Sequence, residues 1–221
     1  MTTQENLNQI HEEINQAALK WGRKSRDINL IAVSKRQSQD KIQAALNAGH
    51  RLFGENKVQE AILHWGDIKP LYPDLKLHLI GALQTNKIKE ALKIFDLIET
   101  IDREKLAHKL GNELKAQNRS IPCFIQVNIG DEEQKSGIPP QDITDFLGFC
   151  RNDCSLDIRG LMCIPPADEP ATMYFSLLQK MAREHDLPEL SMGMSSDFEQ
   201  AIALGASYIR VGTAIFGDRK G

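Results

Sequence analysis

Apolar residues recur at helical spacing near the start of the chain and predict an N-terminal helix. Thr2 and Glu5 have the spacing of a capping box. The residues of the apolar stripe are Leu7, Ile10, Ile14, Ala17, Ala18 and Trp21. Spacings of three and four residues place such side chains on one face of a helix, and the opposite face here is largely polar. We therefore expect residues 1–24 to form a helix that packs on a larger body.

Short apolar segments alternate with longer amphipathic segments along the rest of the chain. The segments typical of strands are 28–34, 51–54, 77–80, 97–101, 123–128, 158–164, 190–192 and 208–211. Continuous apolar sequences such as Leu30-Ile31-Ala32-Val33 are typical of parallel strands that are covered on both faces. Successive strands begin about 26 residues apart, a normal length for one strand–helix step.

The amphipathic segments between the strands predict helices. They cover residues 38–48, 57–65, 87–93, 103–117, 141–151, 171–184 and 197–204. Gly49 and Gly205 follow two of these segments, at the position where a left-handed residue commonly ends a helix. The repeated units, without a Gly-, Ser- or Pro-rich linker, predict one α/β domain over residues 1–221, folded as a (β/α)8 barrel of the TIM type. An open, doubly wound sheet is the alternative.

Composition and charge exclude some classes of function. The 221 residues carry 27 Lys and Arg against 30 Asp and Glu, a net charge of −3, without the basic stripe of a nucleic-acid-binding protein. No apolar segment approaches the roughly 18 residues of a membrane span. The polar residues 1–10 do not have the pattern of a signal peptide. We therefore expect a cytoplasmic protein that binds neither nucleic acid nor membrane.

The four cysteines are Cys123, Cys150, Cys154 and Cys163. Cys150 and Cys154 would share one face of a helix, because they lie four residues apart. No further Cys or His at close spacing completes a zinc site around them. We interpret the cysteines as structural thiols and expect no metal site.

Residues that follow the predicted strands are the candidates for chemistry, because TIM barrels place their active sites at the carboxyl ends of the strands. Lys35 follows the first strand, where desolvation or a neighbouring cation would lower its pKa and favour the neutral amine that attacks carbonyl groups. A solvated lysine is the alternative. Asn56 follows the second strand and would either hydrogen-bond a bound ring or cap the next helix.

Two loops near the end of the chain combine small and hydroxyl-bearing residues. Residues 193–197 follow the seventh strand, and Gly212 and Thr213 follow the eighth. These loops are the usual phosphate site of a TIM barrel, since small residues let backbone N–H groups approach an anion. The pattern favours a phosphate site with Ser195 and Ser196 as further donors. The alternative is that Ser196 or the aspartate after it only caps the next helix.

Arg210 is unusual because it lies within an apolar strand, Tyr208-Ile209-Arg210-Val211. A buried guanidinium keeps its proton and therefore needs partners. It either faces a group bound at the barrel mouth or forms a structural ion pair, and the residues alone leave both open.

Ordered motifs extend over nearly the whole chain, from residue 28 to residue 217. They are Ala32-Val33-Ser34-Lys35, Phe53-Gly54-Glu55-Asn56 with Gln59-Glu60, Leu79-Ile80-Gly81 with Leu83-Gln84-Thr85-Asn86-Lys87, Asp102-Arg103, Gln126-Val127-Asn128, Lys135-Ser136-Gly137, Arg159-Gly160-Leu161-Met162, Leu190-Ser191-Met192-Gly193-Met194-Ser195 and Arg210-Val211-Gly212-Thr213-Ala214-Ile215-Phe216-Gly217. Together they resemble the pyridoxal 5′-phosphate (PLP) homeostasis protein family, also called the YggS/PROSC family. That family is similar to the barrel domain of alanine racemase.

The resemblance implies how the cofactor's ring would be held. PLP would form a Schiff base with Lys35, with Asn56 beside the ring and Arg210 facing the pyridine nitrogen. A permanent cation at that position disfavours protonation of the nitrogen, which would weaken the ring as an electron sink and limit aminotransferase-type chemistry.

The resemblance also implies where the phosphate would lie. The loops with Ser195, Gly212 and Thr213 would bind it, and Met194 and Ser196 would be further contacts.

The resemblance implies a carrier or buffer of PLP that affects amino-acid and keto-acid balance, with PLP-dependent apo-enzymes as possible recipients and no established catalytic activity. A PLP-dependent amino-acid racemase is the alternative. Racemases of this type add a β-domain that supplies a second acid/base group across a dimer interface, whereas this chain ends at Gly221. We therefore expect a monomer with weak or no racemase activity. A regulatory interaction module is a third possibility, supported by no heptad, basic segment or Pro-rich motif.

The chain departs from the family's pattern in two places. Ala82 lies where the family often has histidine, and Ile98-Glu99-Thr100-Ile101 replaces the usual Ile-His-Ser-Val. These departures bear on any role of those histidines and leave the expected PLP contacts unchanged.

Overall fold

The computed structural model describes residues 1–217, and residues 218–221 of the expected domain lie outside the described residues. Eight parallel strands follow one another around a closed barrel, in which the last strand pairs with the first. The predicted α/β fold, a (β/α)8 barrel of the TIM type with an additional N-terminal helix, is confirmed. The alternative of an open sheet is wrong.

The strands agree closely with the apolar segments of the sequence. They are β1 Asn29–Val33, β2 Leu52–Glu55, β3 Lys76–Leu79, β4 Leu97–Ile101, β5 Pro122–Val127, β6 Asp157–Cys163, β7 Glu189–Ser191 and β8 Tyr208–Val211. β4 and β8 have the predicted bounds, and every other strand begins and ends within one residue of its prediction. Apolar segments mark these strands well because parallel strands are covered on both faces.

The helices cover the outside of the barrel. They are α1 Thr3–Lys20, α2 Gln39–Asn47, α3 Val58–Trp65, α4 Ile88–Ile94, α5 Glu104–Ala116, α6 Ile143–Gly148, α7 Ala171–Glu184, α8 Phe198–Ala203 and α9 Thr213–Phe216. The predicted helix 141–151 is shorter than expected, because the chain leaves α6 through a π-helical turn, Phe149–Asp153. Gly49 and Gly205 have φ of +88° and +95°, as predicted for left-handed residues at helix ends.

α1 packs across the place where the barrel closes. Its capping box is present, and its buried face is the predicted stripe without the tryptophan: Leu7, Ile10, Ile14, Ala17 and Ala18. The prediction that Trp21 belongs to this stripe is wrong, since Trp21 is 52% exposed. The helix ends at Lys20, and the chain then turns away at Gly22, which has φ of +66°.

Side-chain hydrogen bonds fix α1 to the last unit of the barrel. Asn6 Nδ2 donates to the carbonyl of Ile215 at 2.8 Å. Arg23, just after the helix, donates to the carbonyls of Ile202 and Ala206 at 2.9 and 2.7 Å. α1 also contacts α2, so it bridges the first and last units.

The four cysteines are buried free thiols. Burial raises the pKa of Cys150 and of Cys163 to about 12. Such thiols stay protonated at neutral pH, which agrees with their interpretation as structural residues. Within residues 1–217, no helix is both long and apolar enough to cross a membrane.

Candidate ligand site at the barrel mouth

Residues from six strand ends converge on one cavity at the carboxyl end of the barrel. Its lining residues are Val33, Lys35, Gln37, Asn56, Ile80, Ile164, Met194, Ser195, Arg210, Gly212 and Thr213. Seven of the eight site residues expected from the sequence are in this lining. The eighth, Ser196, lies exposed on the loop after β7 and is not among the residues of the lining.

Lys35 reaches the cavity from a tight turn after β1. The N–H of Gln37 donates to the carbonyl of Ser34 at 3.1 Å and closes the turn. Arg36, the third residue of the turn, has φ of +59°, a left-handed conformation that is uncommon for residues other than glycine. Lys35 itself is half-buried, so the alternative of a freely solvated lysine does not describe it.

Asn56 places an unusual acceptor at the cavity. Its Oδ1 is buried and has no hydrogen-bond partner among the described residues. Leaving a buried polar atom unpaired costs about 1–3 kcal/mol, which favours a ligand as its partner. The alternative role as a helix cap is wrong, because α3 begins at Val58 and Lys57 occupies its N-cap position.

A neighbouring glycine allows Asn56 to take this position. A Cβ at Gly81 would lie 2.3 Å from the backbone oxygen of Asn56 and 2.7 Å from its Cα. Both distances are shorter than real contacts permit, so the absence of a side chain at Gly81 lets the ends of β2 and β3 come together at the cavity.

Arg210 is buried, with 5% of its surface exposed, and borders the cavity. Its Nη1 donates to Ser191 Oγ at 2.7 Å, and its Nη2 donates to the carbonyl of Cys163 at 2.8 Å. These bonds fix the guanidinium at the end of β8. Among the described residues Arg210 forms no ion pair, so the alternative of a structural ion pair is wrong, and its role toward a bound group stays a prediction.

The anchor of Arg210 continues into a buried polar network. Ser191 donates to Glu99 Oε2 at 2.5 Å, and Glu99 Oε1 lies 2.8 Å from His78 Nδ1. Ser191 and Glu99 are fully buried. Sequence reasoning did not include them in the site, although polar residues inside apolar strands were a signal available for both.

The loop after β7 depends on a glycine and on an internal hydrogen bond of its aspartate. Gly193 has φ of +92°, and a Cβ there would lie 2.5 Å from that of Ala201. Asp197 Oδ1 accepts from the N–H of Met194 at 2.6 Å and so closes the loop. Asp197 occupies the N-cap of α8 without a side-chain capping bond, so the alternative that Ser196 or Asp197 only caps the helix is wrong.

Several lining residues were missed from the sequence. Val33, Ile80 and Ile164 are apolar residues at or just after strand ends, and such residues give no chemical signal of a site. Gln37 belongs to the turn after β1, and its Oε1 accepts from Lys41 Nζ at 3.3 Å. Its position after a candidate lysine was the only signal that would have indicated it.

The closed barrel and the cavity at the carboxyl ends of its strands define a class of protein. The family model described as "Alanine racemase, N-terminal domain" matches residues 6–220, so the chain belongs to that family. An alanine racemase of Clostridium difficile 630 shares the fold, with a TM-score of 0.72 and 12% identity over 98% of this chain and 56% of that one.

Relatives of higher identity define the particular family. The pyridoxal phosphate homeostasis protein of Escherichia coli (strain K12) is 38% identical over 225 residues, which cover 97% of this chain and 95% of that protein. The protein of the same name from Aquifex aeolicus is 36% identical over the full length of both. PipY of Synechococcus elongatus PCC7942, solved with PLP bound, has a TM-score of 0.83 and 34% identity over 98% of this chain and 100% of that one. The chain belongs to the pyridoxal phosphate homeostasis protein family, as its motifs predicted.

Proposed function

We propose that the chain binds PLP in the cavity at the barrel mouth and acts in intracellular PLP homeostasis as a carrier or buffer. The observation that carries this proposal is the convergence of Lys35, Arg210 and the two hydroxyl-bearing loops on one cavity. Relatives named pyridoxal phosphate homeostasis protein and the PLP-bound PipY structure support it.

The residues of the cavity fit the chemistry of PLP. Ser195 and Thr213 offer hydroxyl donors for the phosphate, and Gly212 leaves the backbone of its loop accessible. Met194 borders the same loop, and Ser196 is a further contact in this proposal. The unpaired Oδ1 of Asn56 would accept a hydrogen bond from a donor of the bound ligand.

Lys35 would hold the aldehyde covalently. Its Nζ bonds to the aldehyde carbon, the carbon–oxygen double bond breaks, and the oxygen leaves as water with the two amine hydrogens. When bound, PLP supplies an electron sink for amino-acid chemistry. Arg210 would disfavour protonation of the pyridine nitrogen and weaken that sink, which favours a carrier over an enzyme.

The finer features of the proposal concern the protein in the cell. We infer a single PLP-binding domain over residues 1–221 that acts in the cytoplasm as a monomer and passes PLP to apo-enzymes. We infer no catalytic activity of its own. The second candidate is a racemase of low activity, which the likeness of the fold to alanine racemase suggests.

The absorbance spectrum of the purified protein tests the proposal. We expect a visible band near ~420 nm, typical of a lysine-linked PLP, after addition of PLP. Lys35→Ala should lack this band. If the wild-type protein shows no band with excess PLP, the proposed function is wrong. Formation of D-amino acids at about 1 per second or faster would instead identify an enzyme.

A further inference from the structure

The two residues on either side of Lys35 are each held by a glutamate of the β2–α3 unit. Ser34 Oγ donates to Glu55 Oε1 at 2.6 Å, and the backbone N–H of Arg36 donates to Glu60 Oε1. Glu55 ends β2, and Glu60 lies in the first turn of α3. Lys35 is therefore the one residue between two anchored neighbours.

The first anchor is the fully buried carboxylate of Glu55, whose Oε1 has several hydrogen-bond partners and whose Oε2 has none among the described residues. Its Oε1 also accepts from Trp65 Nε1 at 3.2 Å and lies 2.8 Å from His64 Nδ1. Three partners on Oε1 restrain the position of that oxygen, since buried hydrogen bonds are strong in a medium of low dielectric constant. Ser34 is also fully buried, and its hydrogen bond to Oε1 restrains the position of its side chain.

The second anchor supports a strained residue. Arg36 has φ of +59°, a region that side-chain-bearing residues rarely occupy unless the surrounding structure holds them there. A hydrogen bond from a backbone N–H to a carboxylate is among the stronger kinds, because the acceptor is charged. Without Glu60, the turn would relax toward an ordinary backbone conformation and carry Lys35 with it.

We propose that Glu55 and Glu60 are positioning residues that present the Lys35 amine to an aldehyde ligand. None of Ser34, Arg36, Glu55 and Glu60 is among the lining residues of the cavity, so they would act through neighbouring residues, and Lys35 is the neighbour that Ser34 and Arg36 share. They would set the rate and extent of covalent capture and leave the sites for the ring and the phosphate unchanged. This inference rests on the proposed function.

The test compares two ligands on the full-length protein. PLP has the aldehyde, and 4-deoxypyridoxine 5′-phosphate has the same ring and phosphate with a methyl group in its place. For Glu60→Ala we expect the rate constant for appearance of the visible band to fall about 10-fold, as for a slightly misplaced nucleophile. The Kd of the deoxy analogue should change by less than about twofold, because its contacts do not involve Lys35 chemistry.

Three further variants sharpen the result. Glu60→Gln retains an oxygen that accepts from Arg36 and should recover most of the rate. Ser34→Ala removes the bond to Glu55 without altering the buried carboxylate, and should slow capture in the same selective way. Glu104→Ala changes an exposed glutamate in the first turn of α5 and should leave capture and Kd unchanged.

Thermal unfolding confirms that each variant compared is folded. The inference is overturned if both Glu60→Ala and Ser34→Ala weaken binding of the analogue by the same factor as they slow the capture of PLP. The cavity itself would then be deformed. Unchanged capture in both folded variants would overturn it as well. Absence of the band in the wild-type protein would instead contradict the proposed function, so the two failures are distinguishable.

Discussion

Arg210 and Glu99 are joined through a single hydroxyl group, that of Ser191. Arg210 donates to Ser191 Oγ at 2.7 Å, and Ser191 donates to Glu99 at 2.5 Å. The three residues come from β8, β7 and β4, so the connection crosses the interior of the barrel. The Ser191 hydroxyl thereby links the two buried side chains, and Arg210 still borders the cavity.

Ser191→Ala should destabilise the protein by about 1–3 kcal/mol, because it leaves one donor of Arg210 and one oxygen of Glu99 buried without a partner. Urea unfolding measures this change. PLP binding should also weaken, since the guanidinium loses one of its two anchors. Ser195→Ala, which removes an exposed hydroxyl at the mouth, should weaken binding without a comparable loss of stability. Equal stability of Ser191→Ala and the wild type would contradict the role of the bridge.

Gly81→Ala should displace Asn56, since the new Cβ would lie 2.3 Å from the backbone oxygen of that residue. We expect a loss of stability of about 1–3 kcal/mol, as for an overpacked core. The affinity for PLP should fall about tenfold, or about 1.4 kcal/mol. Gly148→Ala is the matched control, because the nearest atom to its Cβ lies 4.0 Å away and alanine favours a helix. Wild-type affinity in Gly81→Ala would show that the position of Asn56 is unimportant.

The stability of the protein should depend on pH through His64. Its hydrogen bond with Glu55 raises the pKa of His64 above the usual value of 6.5. A raised pKa in the folded state means that the contribution to stability is complete below pH 6.5 and is lost as pH rises through the raised value. The difference in unfolding free energy between the wild type and His64→Gln should therefore shrink from pH 5.5 to about pH 8.5.

Urea unfolding at several pH values checks this dependence on His64. His108→Gln, a change at an exposed histidine of α5, serves as the control for general effects of pH. If the difference in unfolding free energy between the wild type and His64→Gln is the same at every pH tested, the protonation of His64 does not contribute to stability.

The barrel could be predicted from the sequence because its local signals agree with its global arrangement. Each strand is a short apolar segment, and glycines such as Gly49 and Gly205 mark helix ends by their conformation. The errors occur where local patterns compete. Trp21 continues the apolar spacing of α1, but the helix ends before it, and the π-helical turn Phe149–Asp153 has no pattern that distinguishes it from a regular helix.

The candidate site could be predicted only in part, for a similar reason. Lys35, Asn56 and Arg210 are polar residues in or just after apolar strands, and such residues are visible in a sequence. The pairing of Ser191 with Glu99 is not, because the two lie 92 residues apart and meet only when the barrel closes. The same holds for the contact of Glu60 with Arg36, which depends on how α3 lies against the end of β1.

The position of α1 has a consequence for the order in which the protein can be completed during synthesis. α1 and β1 emerge from the ribosome before β8 and α9, which pair with β1 and pack on α1. Gly212 joins β8 to α9, and Thr213 is the first residue of α9. A chain in which β8 and α9 have not yet packed has an open seam between β1 and β7, so the cavity at the barrel mouth is complete only after these two elements are in place.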